Sequence, residues 1–343
     1  MSPFDLNQIS PEIRAKAPVI LAEIQKAKTI LLHCHPLPDP DSLGSALAMK
    51  FALEEMGKRV TLIKGDSDIP TAFTHFPGVS SVVAKAFFEV DLSMFDLFIS
   101  LDSGSRNMIS QQNPPPSPLP IRTVVIDHHA TNEMYGIVNL VDITSPAVSF
   151  ILFQLFLLWN VSITHDIATN LFMGIYTDTG GFRYSPTDHR VIAAASELAR
   201  VAPDFSETIF IMENSQSKEV IYFQALAFSS VETFLRDNIA IAAVSSKQLI
   251  EKNIPEECIR GISISNVLKS VVGWNVGVSM IERVPGEIKV SFRTRDKEKF
   301  DVSKLASLVG GGGHRAAAAA VLKMSMEDAK KLVVAKAKEL YKL

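Results

Sequence analysis

The feature of this chain that most restricts its fold is a series of short apolar runs, each stopping at acidic or histidine residues. Thr29–His33 (TILLH), Leu97–Leu101 (LFISL) and residues 123–126 (TVVI) lead directly into HCHPLPDPDS, DSGSR and DHHATN. Such brief, evenly apolar runs read as strands of a parallel sheet buried on both faces. Arg59–Ile63 (RVTLI) is a further strand of this type, and helical patterns over 41–56, 146–159 and 166–176 supply the crossovers. An α/β class with a parallel-sheet N-terminal domain follows. In open sheets of this class ligands bind beyond the carboxyl ends of the strands, which is where the acidic and histidine clusters fall.

Four clusters carry the chemistry. Residues 33–45 (HCHPLPDPDSLGS) supply His35, Asp39 and Asp41; LDSGSR supplies Asp102; IDHHATN supplies Asp127, His128 and His129; and GIYTDTGGFRY supplies Asp178 before a glycine turn. Each has an ordinary explanation taken alone. Asp41 fits a helix cap, Asp102 a turn, Asp178 a helix-ending loop, and a His pair is most often surface or core. Taken together these explanations fail, because gathering so many carboxylates and imidazoles costs many kcal/mol in repulsion and desolvation unless cations offset it. Asp39, Asp41, Asp102 and Asp178 carry four negative charges, which two divalent ions neutralise. Mixed imidazole and carboxylate ligands favour Mn²⁺ over Mg²⁺, with Co²⁺ a further alternative. Two ions about 3.5–4 Å apart are the usual arrangement for in-line displacement at phosphorus. Cys34 lies between His33 and His35, but strand alternation turns it away from both, into the core.

HxxPDxD, a strand-ending Asp, DHH and GIxTDTG, in this order, resemble the DHH family of phosphoesterases, and most closely its nano-RNase and 3′-phosphoadenosine-5′-phosphate phosphatase branch. The later GGGGH resembles the DHHA1-type substrate-binding domain of that family, so the likeness spans nearly the whole chain. The resemblance implies one metal held by His35, Asp39 and Asp102 and a second by Asp41, Asp102, His128 and Asp178, with Asp102 bridging. Asp127 would orient an imidazole, and His129 would lie beside the scissile phosphate; His33 falls outside the motif. Two positions depart from the family pattern: Pro40 and Ala319 stand where glycine is frequent.

A second, smaller α/β domain is expected over 231–343, after a catalytic domain over 1–188 and a helical linker over 189–230. SFRTR (291–295) and GGGGHR (310–315) are its chemically informative segments. Consecutive glycines leave backbone N–H groups accessible to an anion, and the alanine run after them favours a helix whose N-terminus would add attraction. A phosphate grip from Gly311, Gly312, Gly313, Arg293 and His314, with Arg295 or Arg315, is the reading. The resemblance supports Arg293 and His314 most directly.

Bulk properties narrow the partners. Among the 343 residues Lys and Arg total 34 against 37 Asp and Glu, for a net charge of −3, which argues against tracking along long duplex nucleic acid. Short RNA or small phosphorylated nucleotides remain. Two distant cysteines form no disulfide framework. The N-terminus has no leader pattern, and the most apolar stretch, 148–159, is short for a membrane span. A cytoplasmic enzyme with no membrane partner is expected; oligomeric state stays open, a homodimer included. Cyclic-dinucleotide, pyrophosphate or polyphosphate hydrolysis are the alternatives within the same chemistry, and a non-catalytic nucleotide-binding regulator is the alternative outside it.

Overall fold

The computed structural model describes residues 4–259 and 262–343. Its contacts divide the chain into two units, 1–215 and 216–343. The segment 189–230, expected as a linker, is shared between them.

The first unit carries α1 (Pro11–Lys26), β1 (Thr29–His33), α2 (Pro40–Glu55), β2 (Arg59–Ile63), β3 (Leu97–Leu101), β4 (Thr123–Asp127), β5 (Val138–Val141), α3 (Val148–Leu158), α4 (His165–Asp178), α5 (His189–Val201) and α6 (Phe205–Glu213). The five strands are all parallel, in the order β2-β1-β3-β4-β5. The order reverses between β1 and β3, so the crevice at their carboxyl ends is the topological switch point where such sheets bind ligands. Alternation along the strands sends Ile30, Leu32, Ile99, Leu101, Val124 and Ile126 to one face, packed against the helices, and Leu31, Ile63 and Phe98 to the other. That second face is covered by Phe87, Ile109 and Leu119, from short 3₁₀ turns and loops rather than by the crossover helix the alternating pattern suggests. Cys34 is fully buried in the core.

Helix α3 buries nine of its eleven residues, as an all-round apolar sequence requires. Its cap residue, Ala147, offers no side-chain acceptor. The missing cap comes from α2, where Asp41 accepts the backbone N–H groups of Val148 at 2.7 Å and Ser149 at 2.9 Å. α4 then packs against α2 and α3 at Gly174. A Cβ there would lie 2.1 Å from Ser149 Oγ and 2.6 Å from Asp41 Oδ1, so only glycine permits this approach.

The second unit carries α7 (Lys218–Ser229), β6 (Glu232–Phe234), β7 (Ile239–Val244), α8 (Ser246–Glu251), α9 (Ile264–Leu268), β8 (Val276–Val284), β9 (Glu287–Thr294), α10 (Val302–Ser307), β10 (Gly312–His314), β11 (Ala317–Lys323) and α11 (Met326–Tyr341). Its sheet runs β10-β11-β9-β8-β7-β6, with only β7 and β8 parallel. One face packs Val278, Val290, Phe292 and Ala318 against α10 and α11. On the other face, residues of α7, α8 and α9 cover Ala240, Ala242 and Val244 of β7 in a cluster that holds no residue of β9, β10 or β11. The helix expected after GGGGH is absent: the alanines form β11, paired with β9 along its whole length. Pairing on both sides outweighs alanine's helix preference, which is worth only tenths of a kcal/mol per residue.

Among the described residues no helix is long and apolar enough to cross a membrane.

Candidate metal centre and anion-binding face

The N-terminal cluster is assembled from four chain segments. β1 ends at His33 and delivers His35, whose backbone N–H is held by Ser42 Oγ at 3.0 Å. Asp39 caps α2, accepting Ser42 N–H at 2.9 Å, and Asp41 lies in the first turn of the same helix. Asp102 follows β3 in the left-handed region, at φ 52°, a conformation aspartate tolerates better than most residues. Asp178 is the last residue of α4.

These side chains converge. His35 Nε2 lies 3.3 Å from Asp39 Oδ2 and 3.6 Å from Asp102 Oδ2. His128 Nε2 lies 3.4 Å from Asp102 Oδ1 and 3.5 Å from Asp178 Oδ2. Asp102 therefore turns one oxygen to each group. His35, Asp39 and Asp102 form one set with ligand atoms within 4.8 Å of one another, and Asp41, His128 and Asp178 form a second. His128 Nδ1–H donates to the Ser145 carbonyl at 3.3 Å, which aims Nε2 at the carboxylates.

Asp127 is fully buried and serves His129: its Oδ1 accepts from His129 Nδ1–H at 2.8 Å, and its Oδ2 accepts from Asn132 Nδ2 at 2.6 Å. His129 itself is half-exposed. His33 takes no part in either set. Its Nε2–H donates to Ser100 Oγ at 3.1 Å, Ser100 donates to Tyr135, and the Tyr135 hydroxyl donates to the Ser103 carbonyl at 2.8 Å. Burial, then the nearby His35, pull the His33 imidazole down to about 3, so it stays neutral. This chain of bonds braces the turn after Asp102. Sequence reading missed Asn132, Ser100 and Tyr135, since a lone hydroxyl or amide carries no motif; Asn132 within DHHATN was the one visible signal.

The donor set fits divalent cations. Burial, and after it the charges of Asp41 and Asp102, push the Asp178 carboxyl up to about 9. Burial and then Asp102 push Asp41 up to about 6. Burial opposes charge on His128, yet Asp102, Asp41 and Asp178 together raise it to about 10. Unaided, the cluster keeps a proton on Asp178 at neutral pH, because its negative charge exceeds what the imidazoles offset. Asp102 Oδ1 and His35 Nδ1 are buried without a hydrogen-bond partner, which leaves the carboxylate oxygen open to a metal.

On the C-terminal sheet, register sets the geometry. His314 pairs with Ala317, Ala317 with Arg293, and Arg293 with Gly277, so His314 and Arg293 share one row and one face. Burial lowers the Arg293 guanidinium from its usual range, and the side chain donates to the Phe292 carbonyl at 3.0 Å. The other expected grip residues are engaged elsewhere. Arg295 donates to the Val271 carbonyl at 2.9 Å, and Arg315 pairs with Glu298 at 2.9 Å and Asp301 at 3.3 Å. Gly311 donates its N–H to Ala306 O at 2.8 Å and Gly310 to Ser307 O at 3.2 Å, so two of the four glycine N–H groups end α10. Gly312 and Gly313 lie in β10.

Comparison with known proteins agrees with this layout. Residues 29–175 match the DHH family, N-terminal domain, and residues 238–342 match the DHHA1 domain. A probable bifunctional oligoribonuclease and PAP phosphatase NrnA of Streptococcus mutans is 27% identical, over 85% of this chain and 89% of its own. The bifunctional oligoribonuclease and PAP phosphatase NrnA of Thermus thermophilus is 27% identical, over 93% of each chain. In fold, the chain resembles the crystal structure of an exopolyphosphatase-related protein from Bacteroides fragilis. There the TM-score is 0.86 at 22% identity, over 96% of this chain and 98% of the other.

Proposed function

The chain belongs to the DHH family, with a DHHA1 domain behind its DHH domain, and on that premise we propose that it is a two-metal phosphoesterase acting on short phosphorylated nucleotides. The substrates are nano-RNA or dinucleotides and 3′-phosphoadenosine 5′-phosphate, in keeping with the names of its relatives. The observation that carries the reading is the division of Asp102 between two ligand groups, one oxygen 3.6 Å from His35 and the other 3.4 Å from His128.

We assign one cation to His35, Asp39 and Asp102, and the other to Asp41, Asp102, His128 and Asp178. When bound, two such ions activate water and offset the charge that builds on the phosphoryl oxygens. The imidazole and carboxylate mixture favours Mn²⁺. The chain's own residues do the positioning. Asp41 is fixed by the N-terminus of α3, His128 by the Ser145 carbonyl, and Asp102 by the braced turn after β3. Asp127 raises the pKa of His129 and holds its Nδ1–H. His129 then keeps a proton on Nε2 for a phosphoryl or leaving oxygen. Arg293 and His314 supply affinity for a phosphate other than the reacting one.

The test is a screen of chelator-stripped protein, reloaded with Mn²⁺, Mg²⁺ or Co²⁺, against dinucleotides, longer RNA, 3′-phosphoadenosine 5′-phosphate, cyclic dinucleotides and pyrophosphate. Turnover should be restored best by Mn²⁺ and be fastest on the first and third substrates. Full turnover in protein shown to be metal-free by elemental analysis ends the two-metal mechanism; a clear preference for pyrophosphate ends the substrate assignment.

A further inference from the structure

Helix α4 ends at Asp178 and is firmly seated, since residues 167–175 are all buried. Helix α6, the last of the first unit, is held differently. Phe205, Ile209 and Met212 lean on the core half-buried, and none of its nine residues is fully buried. So short a helix is marginal unless other contacts fix it. Asp204, at its N-cap, makes no capping hydrogen bond. Its carboxylate accepts instead from His165 Nε2–H at 2.7 Å, in the first turn of α4. Phe205 packs on Phe172 with ring centroids 4.7 Å apart. At the other end the Tyr176 hydroxyl donates to Glu213 Oε1 at 2.7 Å, joining the last turn of α4 to the last residue of α6. The Tyr176 ring has a separate contact. A Cβ on Gly181, in the turn after Asp178, would lie 3.4 Å from it, and Phe182 meets it edge-on at 6.1 Å. Only residues 214–217 separate Glu213 from α7, the first helix of the second unit. So short a connection has little slack, and a shift in the last turn of α6 is passed along it.

We infer that Tyr176 is a positioning residue for substrates held by both units: its bond to Glu213 fixes where the chain leaves the first unit, on the same helix that ends in Asp178. The inference rests on the proposed function and extends it. A nucleotide that also binds through a second phosphate gains affinity from a connection that departs in one direction. Without the bond the departure spreads over more directions, and that freedom must be lost again on binding. A substrate that engages the metal cluster alone is indifferent to it. The hydroxyl carries this role, because the ring supports the glycine turn.

Tyr176→Phe removes the hydroxyl and keeps the ring. In the metal-loaded full chain it should raise KM for 3′-phosphoadenosine 5′-phosphate about three- to tenfold, the net contribution of one hydrogen bond. Its kcat and metal content should stay close to wild type, and p-nitrophenyl phosphate should be hydrolysed as before. Glu213→Ala should behave likewise, whereas Glu213→Gln, which keeps an acceptor, should remain near wild type. The double variant Tyr176→Phe/Glu213→Ala should be no worse than either single one. Amide hydrogen exchange, measured without metal, should quicken over 205–213 in Tyr176→Phe while 167–175 keeps its protection. Unchanged exchange, an unchanged KM, or equal losses on both substrates each overturn the positioning role. Wild-type protein that turns over no nucleotide overturns the proposed function instead, and the exchange measurement still decides whether the bond holds α6.

Discussion

In the N-terminal cluster, four aspartates and the imidazoles of His35, His128 and His129 hold one another in place, with backbone donors from two helices fixing Asp39 and Asp41. The C-terminal face presents Arg293 and His314 from a single row of sheet, with one alanine between them and, among the described residues, no carboxylate paired with either. The first region is tied into the fold: Asp39 caps α2 and Asp41 caps α3, besides their positions in the cluster. The second is sparse, and its floor consists of side chains too small to compete with a ligand. Chemistry that tolerates little displacement is matched by the first, and recognition of a diffuse charge by the second.

This contrast can be broken most directly at Asp102. Asp102→Asn should abolish measurable turnover and lower the metal content, because both ligand groups lose the carboxylate they share. Retained activity with two metals per chain by elemental analysis would mean the two groups do not share it. A smaller effect is expected at its edge. His129→Ala should keep the metals and reduce kcat by about 10²–10⁴-fold, the usual contribution of a general acid or base. An unchanged kcat would remove His129 from the chemistry.

On the sparse side, Arg293→Ala should leave the metal content alone and lower kcat/KM for a nucleotide with two phosphates about tenfold to a hundredfold, since a hydrogen bond to a charged group contributes roughly 1.5–3 kcal/mol. The loss on p-nitrophenyl phosphate should be much smaller. Equal losses on both would make Arg293 a residue of the fold. The smallest effect concerns stability. Asp178 and His128 both have raised folded-state pKa values, about 9 and about 10, so the native state binds their protons more tightly than the unfolded chain does. The stability they contribute falls as pH rises and is lost once pH passes those values. Metal-stripped protein should melt several degrees lower at pH 9.5 than at pH 7, and Mn²⁺ should remove most of that difference. A melting temperature independent of pH without metal would show that the carboxylates do not share one field.

The two regions also differed in how far they could be read in advance. His35, Asp39, Asp41, Asp102, His128 and Asp178 stand next to strand or helix ends, and such ends are local events in the sequence, so their convergence followed once the sheet was recognised as parallel. Arg293 and His314 were found as residues, but not their relation, because it depends on the antiparallel register of β9, β10 and β11. The alanine run hid that register by resembling a helix, and its strand state is imposed by neighbours distant in sequence. Arg295 and Arg315 looked equivalent to Arg293 until their partners were seen.

Asp41 has a consequence for how such a chain can change over evolutionary time. Its carboxylate caps the N-terminus of α3, a helix buried over nearly all its length, through the backbone of Val148 and Ser149. Asp39 is half-exposed, and Asp178 accepts no hydrogen bond from any backbone N–H among the described residues. A lineage that abandoned hydrolysis and kept the fold would be free to lose Asp178, would lose a half-exposed cap worth about 1 kcal/mol with Asp39, and would be penalised most for losing Asp41. Descendants that only bind nucleotides should therefore retain this one aspartate as a relic, and its presence alone is no sign of a working enzyme.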